Sequence, residues 1–331
     1  MAYSLVLIST PSQAFFLSRT PEVSQNAILI ITVKTQGEAS KIQKYLEGFS
    51  WKKVYIWLVP QAEDRRVYYK LFLLKLKLFR LKYKYSTLNS IYFGSYANII
   101  QLSIVAEFEH KASIILLYDG LQLVSVNYFR NKLSTENKKK FPRAYNLLGF
   151  KQPEIDQIIY ISPLKLKAGG RDRIRILKRE KISKPQILDE NLIFYIGQPL
   201  SNVGMISSEY YINTLKKLNN NTSKKIIYFP HPRENKEIVA EVSKIFEIKV
   251  PEVIFEDYYL HLRIVPKEII SMYSSVLVNM IFLNAPSNLT AIEIPKNEIN
   301  GSRFIKLVAP IYEYFHHISN YRFQVINSTQ L

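Results

Sequence analysis

The chain has 331 residues, no cysteine and a formal net charge of +18. That length is enough for two domains with real cores. The missing thiols exclude a disulfide framework, a cysteine nucleophile and a zinc–thiolate site. The excess of Lys and Arg calls for an anionic partner, whether nucleic acid, membrane surface or acidic substrate. Hydrophobic residues make up 47% of the chain, the share of a globular protein. The five histidines include no pair spaced as metal ligands on a helix, and the adjacent His316 and His317 read as ordinary residues. The apolar run at 5–8 is too short, and lacks the basic flank, for a secretory signal. No stretch is long and apolar enough for a membrane span. The expected location is the cytoplasm, peripheral on the inner face of the cytoplasmic membrane.

In chain order, strands are predicted at 4–8, 27–33, 54–59, 90–93, 113–118 and 158–161, with a helix at 37–47. Continuous apolar runs separated by helical patterns predict a parallel sheet covered on both faces. Residues 65–84 carry eight Lys or Arg and no acid, interleaved with Leu, Phe and Tyr. They read either as a basic amphipathic helix on an anionic membrane or as a plain helix with snorkelling lysines. Residues 131–143 read as surface loop or helix. Residues 165–184 hold nine basic and two acidic residues and read as a connection between domains. The predicted domains are 1–185 and 186–331. In the second, strands are predicted at 191–196, 226–229 and 253–255, and helices at 208–218, 234–246 and 266–272. An apolar segment at 276–282 follows Ser274-Ser275. Late strands or strand–helix pieces are expected at 292–294 and 304–308, and a final helix at 311–321 that packs back on the first domain.

Three short motifs carry chemistry. Asp119-Gly120 ends a strongly apolar strand, which places a carboxylate at a strand's carboxyl end, with a glycine for the tight turn. Taken singly it is equally an ordinary Asp-Gly turn. His231 stands just past another strand, held between Pro230 and Pro232, with Arg233 beside it to suit an anion. Taken singly it is equally a loop histidine with no task. Ser274-Ser275 offers hydroxyls and backbone N–H groups at a helix start, a setting for phosphate. Ligands of open α/β sheets bind at the carboxyl ends of the strands, and a cleft between two such domains would bring the three together. The carboxylate then acts as general base on a hydroxyl, the imidazole donates to a phosphate and the serines bind it. The chain has no Asp-x-Asp pair for a metal-bridged diphosphate, and Glu107-x-Glu109 reads as solvated surface.

The same motifs, in this order and spacing, resemble those of the bacterial sialyltransferases. These are glycosyltransferase family 52, the lipooligosaccharide sialyltransferases, with the related polysialyltransferase and marine-type families. Residues 197–201, Gly-Gln-Pro-Leu-Ser, and the Thr-Pro-Ser-Gln of 10–13 look most like family 52. The resemblance implies an α/β GT-B fold, two Rossmann-like domains with a cleft between them, the first binding acceptor and the second a CMP-linked donor. It implies inverting, metal-independent transfer of sialic acid from CMP-sialic acid to a hydroxyl, galactose in the first instance, of a bacterial surface glycan or glycolipid. No cofactor is implied. Asp119 would be the base, His231 the donor to the leaving CMP phosphate, and Ser274 and Ser275 the phosphate-binding pair. Glu256, with Glu252 and Asp257 as close competitors, would meet the nucleotide, on the side of Gly197 and Pro232. Gln13, Gly94, Ser95 and Gly120 would face the acceptor. The relatives include dimers, so a homodimer is expected. Tyr118 stands where the pattern often has a second acid, and Pro230 where some relatives have glycine. Two other readings stand beside this one: transfer from another CMP-nonulosonate or CMP-Kdo, and a basic membrane- or nucleic-acid-binding protein without catalysis. No recognised nucleic-acid motif supports the last.

Overall fold

A computed structural model describes residues 3–61, 64–132, 141–177 and 185–331. The chain divides into two compact units, Met1–Leu177 and Lys178–Leu331. Unit 1 runs β1 (Tyr3–Ile8), α1 (Pro11–Leu17), β2 (Ala27–Val33), α2 (Gln36–Lys44), β3 (Lys53–Leu58), α3 (Val67–Lys84), β4 (Leu88–Phe93). It continues with α4 (Ile99–Phe108), β5 (Ser113–Leu116), α5 (Gln122–Lys132), α6 (Arg143–Leu147), β6 (Ile159–Ser162) and β7 (Arg173–Ile176). The strand order is β3-β2-β1-β4-β5-β6-β7, and every neighbouring pair is parallel. All seven residues of β2 are buried, so the alternating side chains are covered on both faces of the sheet. Val6, Leu29, Ile31 and Ile115 form one core with Ala39 and Ile42 of α2. Thr10, Thr35 and Asn98 cap α1, α2 and α4 through their side-chain oxygens, satisfying donors that a helix start leaves open.

Unit 2 runs β8 (Ile187–Ile196), α7 (Ser208–Asn220), β9 (Lys225–Phe229), α8 (Lys236–Ser243), β10 (Glu247–Ile248), α9 (Phe255–His261) and β11 (Ile264–Ser271). It ends with α10 (Ser275–Phe282), β12 (Asn288–Glu293), α11 (Ser302–Ile318) and β13 (Phe323–Asn327). The order is β10-β9-β8-β11-β12-β13, again parallel throughout. In each unit the winding reverses once, between β1 and β4 in the first and between β8 and β11 in the second. Those two points are where a doubly wound sheet opens a crevice for a ligand.

Several sequence expectations are corrected. Residues 266–271 of the segment 266–272, expected as a helix, belong to β11, which lies between β8 and β12. Val265, Ile269 and Ile270 are buried there, and the register slips between Pro266 and Glu268, where proline lacks an N–H for the ladder. Of residues 253–255, expected as a strand, Val253 lies in a bend, Ile254 precedes the helix and Phe255 begins α9. Residues 304–308 lie inside α11, which carries Pro310 within its length. The helix sits in unit 2, where the Tyr312 hydroxyl donates to the Ile292 carbonyl at 2.9 Å.

The basic run expected as a connection contains β7, the edge strand of unit 1. Asp172 anchors that strand by accepting from Arg130 Nε at 2.8 Å, from the Ile158 N–H at 2.8 Å and from the Tyr160 hydroxyl at 3.2 Å. Glu107 is not free in solvent: Lys75 and Lys82 pair with it at 3.2 and 2.7 Å. Burial pushes the neighbouring Glu109 carboxyl up. Most of the expected surface segment 131–143 and the end of the basic run lie outside the described residues. Among those described, no helix is long and apolar enough to cross a membrane.

Candidate functional site

The carboxyl edge of the first sheet gathers the acceptor-side residues named from the sequence. The backbone leaves β1 through Ser9 and Thr10, and the Thr10 cap turns Gln13 inward, where it is buried. Gln13 accepts from the Ser9 N–H at 2.7 Å and donates to the Gly94 carbonyl at 3.0 Å. One side chain thereby pins the ends of β1 and β4 together at the switch point. A Cβ at Gly94 would lie 2.4 Å from the Gln13 amide, so any larger residue there has to displace that side chain from the switch point. From the other side Gln101 of α4 accepts the Gly94 and Ser95 N–H groups at 3.1 and 2.9 Å. The Ser95 hydroxyl receives Gln122 Nε2 at 3.3 Å.

Asp119 follows β5 by three residues and is half-buried, and Gly120 after it takes φ of 62°. That left-handed backbone favours glycine and turns the chain sharply into α5. Burial pushes the Asp119 carboxyl from the usual range up to about 6, and hydrogen bonding from the Gln13 side chain holds it lower than burial alone would. A carboxylate with its pKa near 6 is ionised at neutral pH yet basic enough to take a proton from a positioned hydroxyl.

The second sheet edge is built around His231. The strand β9 is buried from Ile226 to Phe229 and stops at Pro230. His231 Nδ1 accepts the Arg233 N–H at 3.0 Å. The neutral ring therefore carries its proton on Nε2 and presents a donor there. Burial, with the Arg233 charge second, pushes the imidazole pKa down, so the ring is neutral at pH 7. Beneath it the Glu234 carboxylate accepts the His231 N–H at 3.0 Å and the Tyr228 hydroxyl. Tyr228 in turn shares a 2.8 Å hydrogen bond with Tyr211. Burial raises the Glu234 pKa, and these donors hold it down. Gly197 lies over the network, where a Cβ would come within 2.4 Å of the Tyr228 hydroxyl. Asn202 completes the turn by donating to the Arg233 carbonyl at 3.0 Å and accepting from Asn235 N at 2.9 Å.

Ser274 caps α10, its hydroxyl oxygen accepting the Val276 N–H at 3.2 Å, and Ser275 begins the helix. Gln198 reaches across from the end of β8 to accept the Tyr273 N–H at 2.9 Å and the Ser271 hydroxyl at 3.3 Å. His231, Gly197 and Ser274 are thus tied to one sheet edge, and Pro232 is exposed beside His231. The three candidate nucleotide carboxylates differ. Glu256 is buried and accepts from the Asn279 amide of α10. Asp257 lies 3.5 Å from His261 Nδ1, and Glu252 is exposed.

Sequence reasoning missed the residues that hold the motif residues in place: Gln101, Gln122, Glu234, Tyr228 and Asn202. Gln122 Oε1 is buried and finds no partner among the described residues, which leaves an acceptor beside Ser95. The glycines of Gly94-Ser95 and Gly197-Gln198, each directly after a strand, were the available signal for such close packing.

No family model matches the sequence, and no curated protein does. Solved structures do match. UDP-GlcNAc 2-epimerase from Neisseria meningitidis, bound to UDP-GlcNAc, aligns with 96% of this chain and 94% of its own at 12% identity, with a TM-score of 0.56. Arabidopsis thaliana UGT89C1 in complex with UDP-L-rhamnose covers 100% of this chain and 88% of its own at 11% identity, TM-score 0.54. The chain has the GT-B fold. An alpha-2,3-sialyltransferase from Photobacterium phosphoreum spans 100% of both chains at 11% identity, but its TM-score of 0.49 is too low to bear on function.

Proposed function

We propose that the protein is an inverting, metal-independent sialyltransferase. It moves sialic acid from CMP-sialic acid to a hydroxyl of a bacterial glycan or glycolipid. The observation that carries this reading is the placement of Asp119, His231 and Ser274-Ser275. Each stands at the carboxyl edge of a parallel sheet, with protonation states suited to transfer. Unit 1 takes the acceptor and unit 2 the donor.

Asp119 accepts the proton of the acceptor hydroxyl as its oxygen bonds the anomeric carbon of the sugar. The bond from that carbon to the phosphate oxygen breaks, and CMP leaves as an anion. His231 stabilises the departing phosphate through Nε2–H. Its role is that of a hydrogen-bond donor rather than a proton donor, because the ring is already neutral. The N–H groups at the start of α10 and the hydroxyls of Ser274 and Ser275 add to the same stabilisation. Glu256 orders α9 against α10 through Asn279, and the nucleotide ribose falls to that helix pair. Metal independence is what the sialyltransferase resemblance implies, and the absence of an Asp-x-Asp pair is consistent with it.

The deciding assay is CMP release from CMP-N-acetylneuraminic acid in EDTA, with and without a galactose-terminated acceptor. Acceptor-dependent release is expected. No release, together with no thermal shift on adding CMP, overturns the reading. CMP-Kdo and UDP-GlcNAc, the latter the ligand of the aligned epimerase, are then the next donors to assay.

A further inference from the structure

The helix α3 has two apolar seams, and only one of them is used. Leu71, Leu74, Leu78 and Leu81 are buried against unit 1. Tyr69, Phe72, Leu76, Phe79 and Tyr83 repeat the same three-and-four spacing, which at 3.6 residues per turn lies on the opposite side of the helix. All five are exposed, Tyr69 by 61%, Phe79 by 68% and Tyr83 by 86%. An unbroken row of large apolar side chains in water marks an interaction site.

Charge selects the occupant. The helix carries no acidic residue. Lys75 and Lys82 pair with Glu107, and Lys70 pairs with Asp64. On the flank that Lys70 shares, Lys77, Arg80 and Lys84 form no ion pair among the described residues. A second copy of this helix would set cations against cations, with no acid to relieve them. A nucleic acid would need the cations at the centre of the contact, where Leu76 and Phe72 stand instead. A bilayer with anionic headgroups satisfies both rows, since the rings and leucines enter the headgroup–acyl boundary while the cations meet the phosphates. A cavity of about 370 Å³ opens beside this flank, lined in part by Lys34, Lys77, Leu73 and the Lys70–Asp64 pair, which leaves two of its three lysines without an acid partner among the described residues of the lining.

We propose that the exposed face of α3 is a docking surface for an anionic lipid bilayer, with the helix lying in the plane of the interface. The proposal is independent of the sialyl-transfer reading, and its readout is binding rather than turnover. The test is co-sedimentation of the purified protein with vesicles of phosphatidylcholine alone or with one third phosphatidylglycerol. Binding to the anionic vesicles only, weakened by added salt, is expected. The triple variant K77E/R80E/K84E is expected to lose roughly a hundredfold in partitioning, at about fivefold per basic residue. The variant F72S/F79S/Y83S is expected to lose at least about tenfold through its missing apolar anchor. All six positions are exposed, and unchanged thermal melts show that the fold is intact. Equal pelleting of wild type and both variants overturns the proposal. So does a dimer in sedimentation velocity that F72S/F79S/Y83S dissociates, or binding of a single-stranded oligonucleotide without vesicle binding.

Discussion

The carboxyl edges of the two sheets use one device for two purposes. At each switch point a buried glutamine spans the parting strands, Gln13 from β1 to Gly94 and Gln198 from β8 to Tyr273. What they support differs. In unit 1 the carboxylate of Asp119 is held in a setting that disfavours its charge and pushes its pKa to about 6. In unit 2 the backbone N–H of His231 rests on a chain of hydrogen bonds through Glu234, Tyr228 and Tyr211, and the ring is aimed by the Arg233 N–H on its Nδ1. In the proposed transfer, a base gains reactivity from an unfavourable charge, whereas a hydrogen-bond donor to phosphate gains from rigid aim. Substitutions at the two edges should therefore affect activity alike, while removing the Asp119 charge adds stability and removing the support beneath His231 costs it.

The largest effect is expected from Asp119→Asn. If Asp119 is the general base of the proposed transfer, its loss lowers kcat by about 10²–10⁴-fold, measured as acceptor-dependent CMP release. The same variant should be more stable than wild type at pH 7 by roughly 1–2 kcal/mol, allowing for partial solvent access to the carboxyl. A destabilised Asp119→Asn in a denaturant melt would break the comparison. His231→Ala should also lower kcat, by about 10²–10³-fold as for a lost oxyanion donor, with little change in stability.

Glu234→Leu attacks the support beneath His231. It strands the His231 backbone N–H, at a cost of about 1–3 kcal/mol for an unsatisfied buried group, and leaves the Tyr228 hydroxyl with Tyr211 alone. Activity should fall through kcat more than KM, and Glu234→Gln should restore part of it, because one amide oxygen can still accept. Gly197→Ala acts on the same network by overpacking against Tyr228, and about 1–3 kcal/mol of destabilisation is expected in urea melts. A neutral Gly197→Ala would mean that the Tyr228–Glu234 pair is free to move aside.

Much of this architecture was legible in the sequence. The alternation of buried strands and helices announced the parallel sheet of unit 1, and Asp119 and His231 fell at strand ends as their neighbours predicted; Ser274 follows a strand where a helix was expected. The failures have a physical cause. The strand at 264–271 is buried on both faces, so it lacks the period-two signal that separates strand from helix. The strand at 173–176 alternates Arg with Ile inside a basic run and is fixed by Asp172 contacts with α5, β6 and the residue before it. The residues behind the motifs were hidden for the same reason. Gln122 meets Ser95 27 residues away and Asn202 meets Arg233 31 residues away, separations that no local pattern encodes.

The smallest effects are the pH dependences, and they separate the two edges most cleanly. Asp119 is raised in the folded state above its ordinary 3.8. At pH 5 the folded protein therefore holds a proton that the unfolded chain has lost. Stability then falls as pH rises from about 4 to about 6, by the linkage of proton uptake to folding. Asp119→Asn should remove that segment of the curve, while His231→Ala should leave it intact. Activity should run the other way, rising with pH to a plateau above about 6 as the base ionises. Gln13 hydrogen bonding lowers the Asp119 pKa, so Gln13→Met should move the rising limb to higher pH. It should also loosen Gly94, which loses its amide donor. A Gln13→Met profile that shifts to lower pH, or does not move, would show that the glutamine positions only the strands. The tuning of Asp119 would then belong to burial alone.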